Sequence, residues 1–309
     1  MAGRGRMRRI SALIIATFSD WYEDRAPRLG AALAYYTVFA LAPSLVIVIG
    51  VAGIVLGREA AQGQILDQIR GLLGDDGAQA IEAMIKSGRN PKAGTTAIAF
   101  GLVTLVFGVW GVFGQLQDAL NTIWGVTPKA GRGILGIIKD RFLSFTLVLG
   151  TGFLLLTSLA ISAWLVVVET YFGHLLPLPG SVLEAMNFAV SFAVITVLFA
   201  LMFKLLPDVK VAWRDVWLGA AVTSLLFTVG KLIIGLYLGK SGVASAFGAA
   251  SSLVVILVWV YYSAQILFLG AEFTKVWTRR RGGGFVPDDK AVPVTREARA
   301  EQGMGDKTR

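Results

Sequence analysis

Six long stretches of apolar residues divide this chain of 309 residues. A helix that crosses a lipid bilayer needs about 20 mostly uncharged residues, because a hydrocarbon core about 30 Å thick is crossed at about 1.5 Å per residue. A soluble protein could not absorb six such stretches without exposing a large apolar surface. The sequence therefore predicts an all-α, polytopic membrane protein with six transmembrane helices: Ala31–Leu56, Thr95–Phe113, Phe142–Val168, Val182–Phe203, Val216–Leu238 and Ala249–Lys275.

Lysine and arginine are concentrated in alternate connections between the predicted spans. The segment before the first span, the second-to-third and fourth-to-fifth connections and the residues after Phe273 together hold 22 of them, whereas the opposite connections hold six. By the positive-inside rule, this asymmetry predicts that both termini are cytoplasmic. The net charge of +9 thus reports orientation. Because the basic residues form no single groove, the sequence does not favour nucleic acid as a partner.

The regions that flank the spans have distinct patterns. In residues 1–30, apolar residues from Ile10 to Trp21 recur at three- and four-residue steps behind four arginines, which is typical of an amphipathic helix on the inner leaflet. Residues 31–278 form the transmembrane domain. Within it, the outer loop 57–94 carries two apolar patterns, Ile65–Leu72 and Ile81–Ile85, that predict two short amphipathic helices. Residues 279–309 have little apolar content, which predicts a disordered, basic cytoplasmic tail.

Two stripes of polar side chains lie within the last two predicted spans. A step of about 100° per residue puts three side chains of span five within about 60° of one another, and three of span six within about 40°. Because polar groups are costly in hydrocarbon, two such stripes could line one cavity. Packing between helices is the simpler alternative, with Lys231 extending to the interface and Glu272 in a surface ion pair with Lys275. The two stripes are Ser224, Thr228 and Lys231, and Tyr261, Gln265 and Glu272.

Residue types that perform catalysis are scarce in this chain. It has no cysteine, so it has no disulfide and no thiolate nucleophile. His174 is the only histidine and cannot form a zinc site or a serine triad by itself. No Walker-type phosphate loop occurs. We therefore assign no catalytic, cofactor-binding or metal-binding residue, and we do not expect an enzyme.

The densest group of carboxylates on the predicted inner side precedes the first span. Asp20, Glu23 and Asp24 lie beside Arg25 and Arg28. This arrangement predicts a solvated helix end in which the charges form ion pairs. A divalent metal site is the alternative, since carboxylate oxygens are the usual ligands of such ions.

Four segments, in their order and spacing, resemble the YihY/virulence factor BrkB family of bacterial inner-membrane proteins, formerly labelled ribonuclease BN. The resemblance covers roughly residues 15–280, and it implies six spans and a role in the cell envelope. Tyr36 and Pro43 belong to the first segment, and we count both among the candidate cavity-lining residues, since Pro43 should also kink or interrupt its helix. Ala40 and Phe247 stand where the family pattern has hydroxyl-bearing side chains. The segments are Ala32–Tyr36 through Pro43, Asp118–Asn121 through Trp124–Gly125, Leu206–Val209 through Trp213–Arg214, and Trp259–Gln265 through Gly270–Glu272.

Three classes of function are compatible with these patterns. The first is a transporter or flippase-like protein for an amphiphilic envelope molecule, whose partners are membrane lipids, that substrate and further copies of the chain. The second is a noncatalytic scaffold for envelope assembly, suggested by small-residue helix faces. A nuclease ranks third, because hydrolysis of phosphodiesters commonly requires a metal held by converging carboxylates or histidines.

Overall fold

The computed structural model describes residues 2–88, 95–129, 180–240, 251–282 and 284–304. These ranges contain eight helices and four short strands. The helices are α1 (Ala2–Glu23), α2 (Ala26–Leu56), α3 (Arg58–Gly88), α4 (Thr95–Trp124), α5 (Gly180–Leu205), α6 (Trp213–Lys240), α7 (Ser251–Arg280) and α8 (Arg296–Glu301). The strands are β1 (Val126–Pro128), β2 (Val209–Lys210), β3 (Val286–Pro287) and β4 (Ala291–Pro293).

Three helical segments of the described ranges are long and apolar enough to cross a membrane: Phe188–Leu205, Trp213–Tyr237 and Leu253–Arg280. They coincide with the predicted spans four, five and six. The first two predicted spans fall within α2 and α4, which have 31 and 30 residues. The third predicted span, Phe142–Val168, lies outside the described residues, as do His174 and Phe247.

The helices meet at one end of the bundle. Helix α2 packs against α3, α4 and α7, while α6 packs against α5 and α7. The C-terminal ends of α4, α5 and α7 and the N-terminal ends of α2 and α6 surround one buried apolar core. This core includes Leu120, Trp124, Phe203, Val216 and Phe268. Two antiparallel ladders, β1 with β4 and β2 with β3, lie at the same end. We call it the strand end.

Small residues set the distance between α6 and α7. A Cβ atom at Gly270 would overlap the hydroxyl of Thr223, and a Cβ atom at Gly219 would overlap the hydroxyl of Thr274. Each threonine hydroxyl donates a hydrogen bond to the carbonyl oxygen four residues earlier in its own helix, at 2.7 Å. The pairing is thus reciprocal, and it lets the two backbones approach closely, as small residues do in membrane helices.

Three sequence predictions differ from the structure. The predicted outer loop contains one helix over Arg58–Gly88, α3, because apolar residues from both predicted helices, including Ile65, Ile69, Ile81 and Ile85, join one cluster with residues of α2 and α7. Helix α2 continues through Pro43, so of the two predicted effects of this proline, a kink or an interruption, the interruption does not occur. The tail after α7 is not disordered over residues 284–304, which contain β3, β4 and α8. We call these residues the C-terminal strap; its order comes from pairing with β1 and β2, residues that are distant in sequence.

Candidate functional site

A group of charged side chains is buried at the strand end, and Lys275 lies at its centre. Its side chain is fully buried. The Lys275 ammonium donates hydrogen bonds to Asp24 Oδ2 at 2.9 Å and to the carbonyl oxygen of Ile123 at 2.7 Å. It also forms ion pairs with Glu272, one turn earlier in α7, and with Asp20 Oδ2 at 3.4 Å. One ammonium therefore connects the ends of α1, α4 and α7.

Two arginines complete the group. Arg299 of α8 donates from Nη2 to Asp24 Oδ1 at 2.6 Å, so the two oxygens of Asp24 bind cations from two different elements. Arg279 Nη1 lies 3.6 Å from Asp20 Oδ2 at the half-exposed rim. We call these six residues the ionic cluster: Asp20, Asp24, Glu272, Lys275, Arg279 and Arg299. With three acids and three bases, its formal charges balance.

A second polar contact joins α4 to the α5–β2 connection beside the ionic cluster. Asn121 Nδ2 donates to Asp208 Oδ2 at 3.0 Å, and the Asp208 backbone N–H donates to Asn121 Oδ1 at 2.8 Å. Gln117 adds a longer hydrogen bond to Asp208 Oδ1, at 3.4 Å. Asn121, Asp208 and Glu272 come from three of the four segments that carry the family resemblance. The strand end therefore brings those segments together.

The acidic residues before the first span were predicted to be solvated, and this prediction is wrong. Asp24 is buried, with 1% of its surface exposed. It binds Lys275 and Arg299, which lie far from it in the sequence. The predicted pair between Glu272 and Lys275 does form, but both side chains are fully buried instead of lying at the surface. Sequence spacing pointed to this pair, whereas Arg299 gave no signal because its partner is 275 residues away.

The polar stripe of span five does not face α7. Helix α6 approaches α7 most closely at Gly219, Thr223 and Gly230, and the ring of Phe227 also contacts Trp259 of α7. A step of about 100° per residue puts the predicted stripe about 80–180° away from the three close contacts. The hydroxyls of Ser224 and Thr228 donate hydrogen bonds to carbonyl oxygens four residues earlier in α6, at 2.8 Å, and Lys231 is half-buried.

The stripe of span six likewise turns away from α6. On α7, the residues that contact α6 are Tyr262, Ile266, Gly270 and Thr274, roughly opposite the predicted stripe. Tyr261 is exposed, Gln265 packs against Gly30 of α2, and Glu272 belongs to the ionic cluster. Tyr36 packs against Gly111 of α4. The two stripes therefore lie away from the close α6–α7 contact among the described residues, and their role as cavity-lining residues stays a prediction.

The amide of Gln265 gives a direct test of whether this polar residue has a structural role. Both its Nε2 and Oε1 atoms are buried, and neither has a hydrogen-bond partner among the described residues. A buried polar group without a partner is costly. We expect Gln265→Leu to leave the thermal midpoint in detergent unchanged or to raise it, with Gln117→Leu, which removes a defined hydrogen bond to Asp208, as the destabilised control. A lower midpoint for Gln265→Leu than for Gln117→Leu would contradict this reading.

In the ionic cluster, the carboxylates bind lysine and arginine side chains rather than forming an open site for a ligand. No group of three or more histidine, aspartate or glutamate residues suited to a metal ion occurs in the ranges that the structure describes. Within the ionic cluster, each carboxylate instead faces a lysine or an arginine. Such a group can hold helix ends together, and it can release them when one partner leaves.

The C-terminal strap carries ion pairs of its own on the solvent side. Lys210 of β2 lies 3.1 Å from Asp289 and 3.3 Å from Asp288. Hydrogen bonds to Asp289 and Asp288 raise the pKa of Lys210. The hydrogen bond from the Asp289 backbone N–H lowers the pKa of Asp288, and Lys210 lowers it further. Both charged forms are therefore favoured when the strap is attached.

These shifts predict how attachment of the strap depends on pH. The pKa of Asp288 is lowered in the folded chain, so its contribution is present above about pH 4 and is lost as the pH falls below that value. The contribution of Lys210 is present below about pH 10.5 and is lost above it, because its pKa is raised. We expect hydrogen exchange of the amides of 286–291, corrected for intrinsic rates, to be constant from about pH 5 to 9 and to accelerate below about pH 4. A double Asp288→Asn, Asp289→Asn variant should lose most of this acid response, and an unchanged response would contradict the assignment.

Taken together, the long apolar helices and the charged strand end define a helical membrane protein. Residues 17–295 match the Virulence factor BrkB family. Because the match covers most of the chain, this protein belongs to that family, which confirms the resemblance of the four segments.

Curated relatives are also membrane proteins by name. The chain is 27% identical to a UPF0761 membrane protein of Pseudomonas aeruginosa over 267 residues, which cover 83% of this chain and 62% of that protein. It is 27% identical to one of Ralstonia nicotianae, covering 81% of this chain and 55% of the relative, and 28% identical to one of Stenotrophomonas maltophilia, covering 82% and 57%. The chain thus spans less than two thirds of the length of these relatives. No solved structure matches it.

Proposed function

We propose that this chain is a transporter or flippase-like protein that moves an amphiphilic envelope molecule across the bacterial inner membrane. The observation that carries the proposal is the burial of the ionic cluster. Removing charges from water costs several kcal/mol per ion, and well-packed apolar residues of similar volume often give equal or greater stability. Apolar residues of similar volume could hold a fixed strand end together equally well. A closure that must break and reform has a use for buried charges.

Hydration supports this reading of the ionic cluster. When the strand end opens, water can reach the carboxylates, the ammonium and the guanidinium groups, which recovers the solvation that burial removed. An apolar contact of the same size would expose hydrophobic surface on opening, at about 25 cal/mol per Å². A charged closure therefore makes the open state less costly than an apolar one. The predicted spans contain few other charged residues, and this scarcity suits an amphiphile that moves along a groove facing lipid.

The proposed orientation has both termini in the cytoplasm and the chain crossing the inner membrane several times. The 2.6 Å contact between Arg299 and Asp24 supports this arrangement, because it joins the two terminal segments to each other. The exposed arginines of that side include Arg8, Arg9, Arg279 and Arg280. By the positive-inside rule, such an end is expected to be cytoplasmic.

Reconstitution provides the test of transport. The full chain is inserted into vesicles of phosphatidylethanolamine and phosphatidylglycerol that contain a trace of phosphatidylglycerol with a fluorescent acyl chain, and dithionite then reduces the probe in the outer leaflet. We expect dithionite to remove more than the outer-leaflet half of the fluorescence only when the protein is present. Vesicles with an unrelated helical membrane protein are the control. Equal quenching in the two preparations would contradict movement of this lipid class.

A scaffold for envelope assembly is the second candidate, and the packing of α6 and α7 favours it. The reciprocal contacts of Gly219 with Thr274 and of Gly270 with Thr223 fix the two helices closely, and the hydroxyls of Ser224 and Thr228 bond within their own helix. A scaffold predicts a stoichiometric partner in crosslinking of intact cells, together with unaltered function after Glu272→Gln. A transporter predicts that Glu272→Gln changes the flux in vesicles.

A further inference from the structure

The C-terminal strap contacts three separate parts of the strand end. Strand β4 pairs with β1, which directly follows α4, and β3 pairs with β2, which lies between α5 and α6. Helix α8 carries Arg299 to Asp24 at the end of α1. Phe285 also covers Trp124, with ring centroids 5.0 Å apart. Separation of these helix ends would therefore have to break contacts with the strap.

Most of these contacts are individually weak. The ladders contain two and three residue pairs, and three backbone hydrogen bonds at 2.8–3.0 Å join the strap to Lys129, Gly125 and Asp208. The ion pairs of Lys210 are solvent-exposed, and exposed pairs contribute about 0–1 kcal/mol. A segment with few buried apolar contacts can open locally while the helices that it touches stay folded.

Arg299 is the exception to this pattern. Its side chain is largely buried, and its guanidinium binds Asp24 Oδ1. Asp24 in turn binds Lys275 through its other oxygen. The strap is thus connected directly to the ionic cluster. Arg299 Nε is buried without a hydrogen-bond partner among the described residues, so part of the solvation of this side chain is not replaced when the strap attaches.

From these contacts we infer that the C-terminal strap is a detachable latch on the strand end, and that Arg299 is the residue through which it controls opening. When attached, it joins the ends of α1, α4 and the α5–α6 connection and supplies one of the three bases of the ionic cluster. When it detaches, Asp24 loses the guanidinium of Arg299 but keeps Lys275, and the three acids of the cluster are left with two of its three bases, Lys275 and Arg279. The role of this opening in a transport cycle rests on the proposed function. The opening itself does not.

Hydrogen–deuterium exchange of the full chain in detergent tests the latch without a substrate. We expect Arg299→Glu, which puts a carboxylate beside Asp24, to accelerate exchange about tenfold in both 20–28 and 272–280, because it favours the open strand end. Arg299→Lys retains the charge and should restore most of the protection. Arg281→Glu makes the same charge change at an exposed position outside the strap. In this variant, exchange in 20–28 and 272–280 should remain near that of the unaltered chain. Acceleration confined to 284–304, or no acceleration at all, would overturn the inference.

A disulfide provides the converse test and does not depend on a charge change. The chain has no cysteine, so Thr127→Cys with Val292→Cys introduces only the intended pair. These residues are direct partners in the β1–β4 ladder, whose Cα atoms should lie about 4.5–5.5 Å apart, within the range that a disulfide spans. Oxidation should slow exchange of 20–28 and 272–280, and reduction should reverse this effect. Equal exchange in the two forms would overturn the latch, even if Arg299→Glu failed to fold.

The same pair separates the latch from the proposed function. If the vesicle assay detects lipid movement, oxidation should abolish it and reduction should restore it. If no movement is detected but exchange responds to the disulfide, the latch stands and transport of that lipid fails. Movement that is equal in the oxidised and reduced forms would overturn the latch as a control on transport.

Discussion

Lys275→Met is expected to lower the free energy of unfolding by about 3–5 kcal/mol, the range measured when one partner of a buried ion pair is removed. Methionine has nearly the same length as lysine and leaves little cavity. The loss therefore comes from charge. Asp24, Glu272 and Asp20 lose the ammonium that all three face, and the carbonyl oxygen of Ile123 loses its donor. Of the bases in the cluster, Arg279 beside Asp20 and Arg299 beside Asp24 then remain.

Denaturation in detergent, followed by tryptophan fluorescence, measures this effect. Lys86→Met is the matched control, because Lys86 forms an exposed pair with Glu82 and should change stability by at most about 1 kcal/mol. Adding Glu272→Gln to Lys275→Met restores equal numbers of acids and bases in the cluster, so the double variant should be more stable than Lys275→Met alone. If Lys275→Met matched Lys86→Met, the ionic cluster would not contribute to stability as described.

The long helices could be predicted because their signal is local. Span length and composition located the regions of α5, α6 and α7, and the structure finds membrane-compatible segments there. The order of the C-terminal strap could not be predicted in this way. Val286, Ala291 and Val292 form strands too short for any pattern to emerge, and their partners in β1 and β2 are about 80 to 165 residues away. The contact of Asp24 with Lys275 could not be predicted either, because the two residues are 251 positions apart in the sequence.

Periodicity identified the polar stripes but could not say what they face. The spacing of Ser224 and Thr228 is that of one helix face, and this is a property of α6 alone. Which face meets α7 depends on where the backbones can approach, and Gly219 and Gly270 decide that. Gly270 belongs to one of the four family segments, but neither glycine indicates by itself which face it packs, because the threonine that it contacts lies on the other helix. Glu272 was predicted as a candidate residue because a carboxylate in an apolar stretch needs a partner, and its full burial beside Lys275 could not be read from the sequence.

Gly219→Ala is the substitution with the second-largest expected effect. Its Cβ atom would overlap the Thr274 hydroxyl and would lie 2.9 Å from Thr274 Cβ and 3.0 Å from Cγ2. Thr274 cannot move aside easily, because it is buried and its hydroxyl is bonded to the Gly270 carbonyl oxygen. Overpacking of this kind costs about 1–3 kcal/mol. We expect a loss of that size in the free energy of unfolding, measured by the same denaturation assay as for Lys275→Met.

Gly235→Ala separates crowding from helix propensity within the same helix. Gly235 also lies in α6, but a Cβ atom there meets nothing within 4 Å, so alanine should stabilise the helix by about 0.5–1 kcal/mol. Thr274→Ala, combined with Gly219→Ala, removes the hydroxyl and the methyl group that crowd the new Cβ and should recover part of the loss. Because the α6–α7 contact then controls the spacing of two helices at the strand end, Gly219→Ala should also accelerate hydrogen exchange in 272–280. Equal stability of Gly219→Ala and Gly235→Ala would mean that the two helices are not held at the close distance on which the scaffold alternative depends.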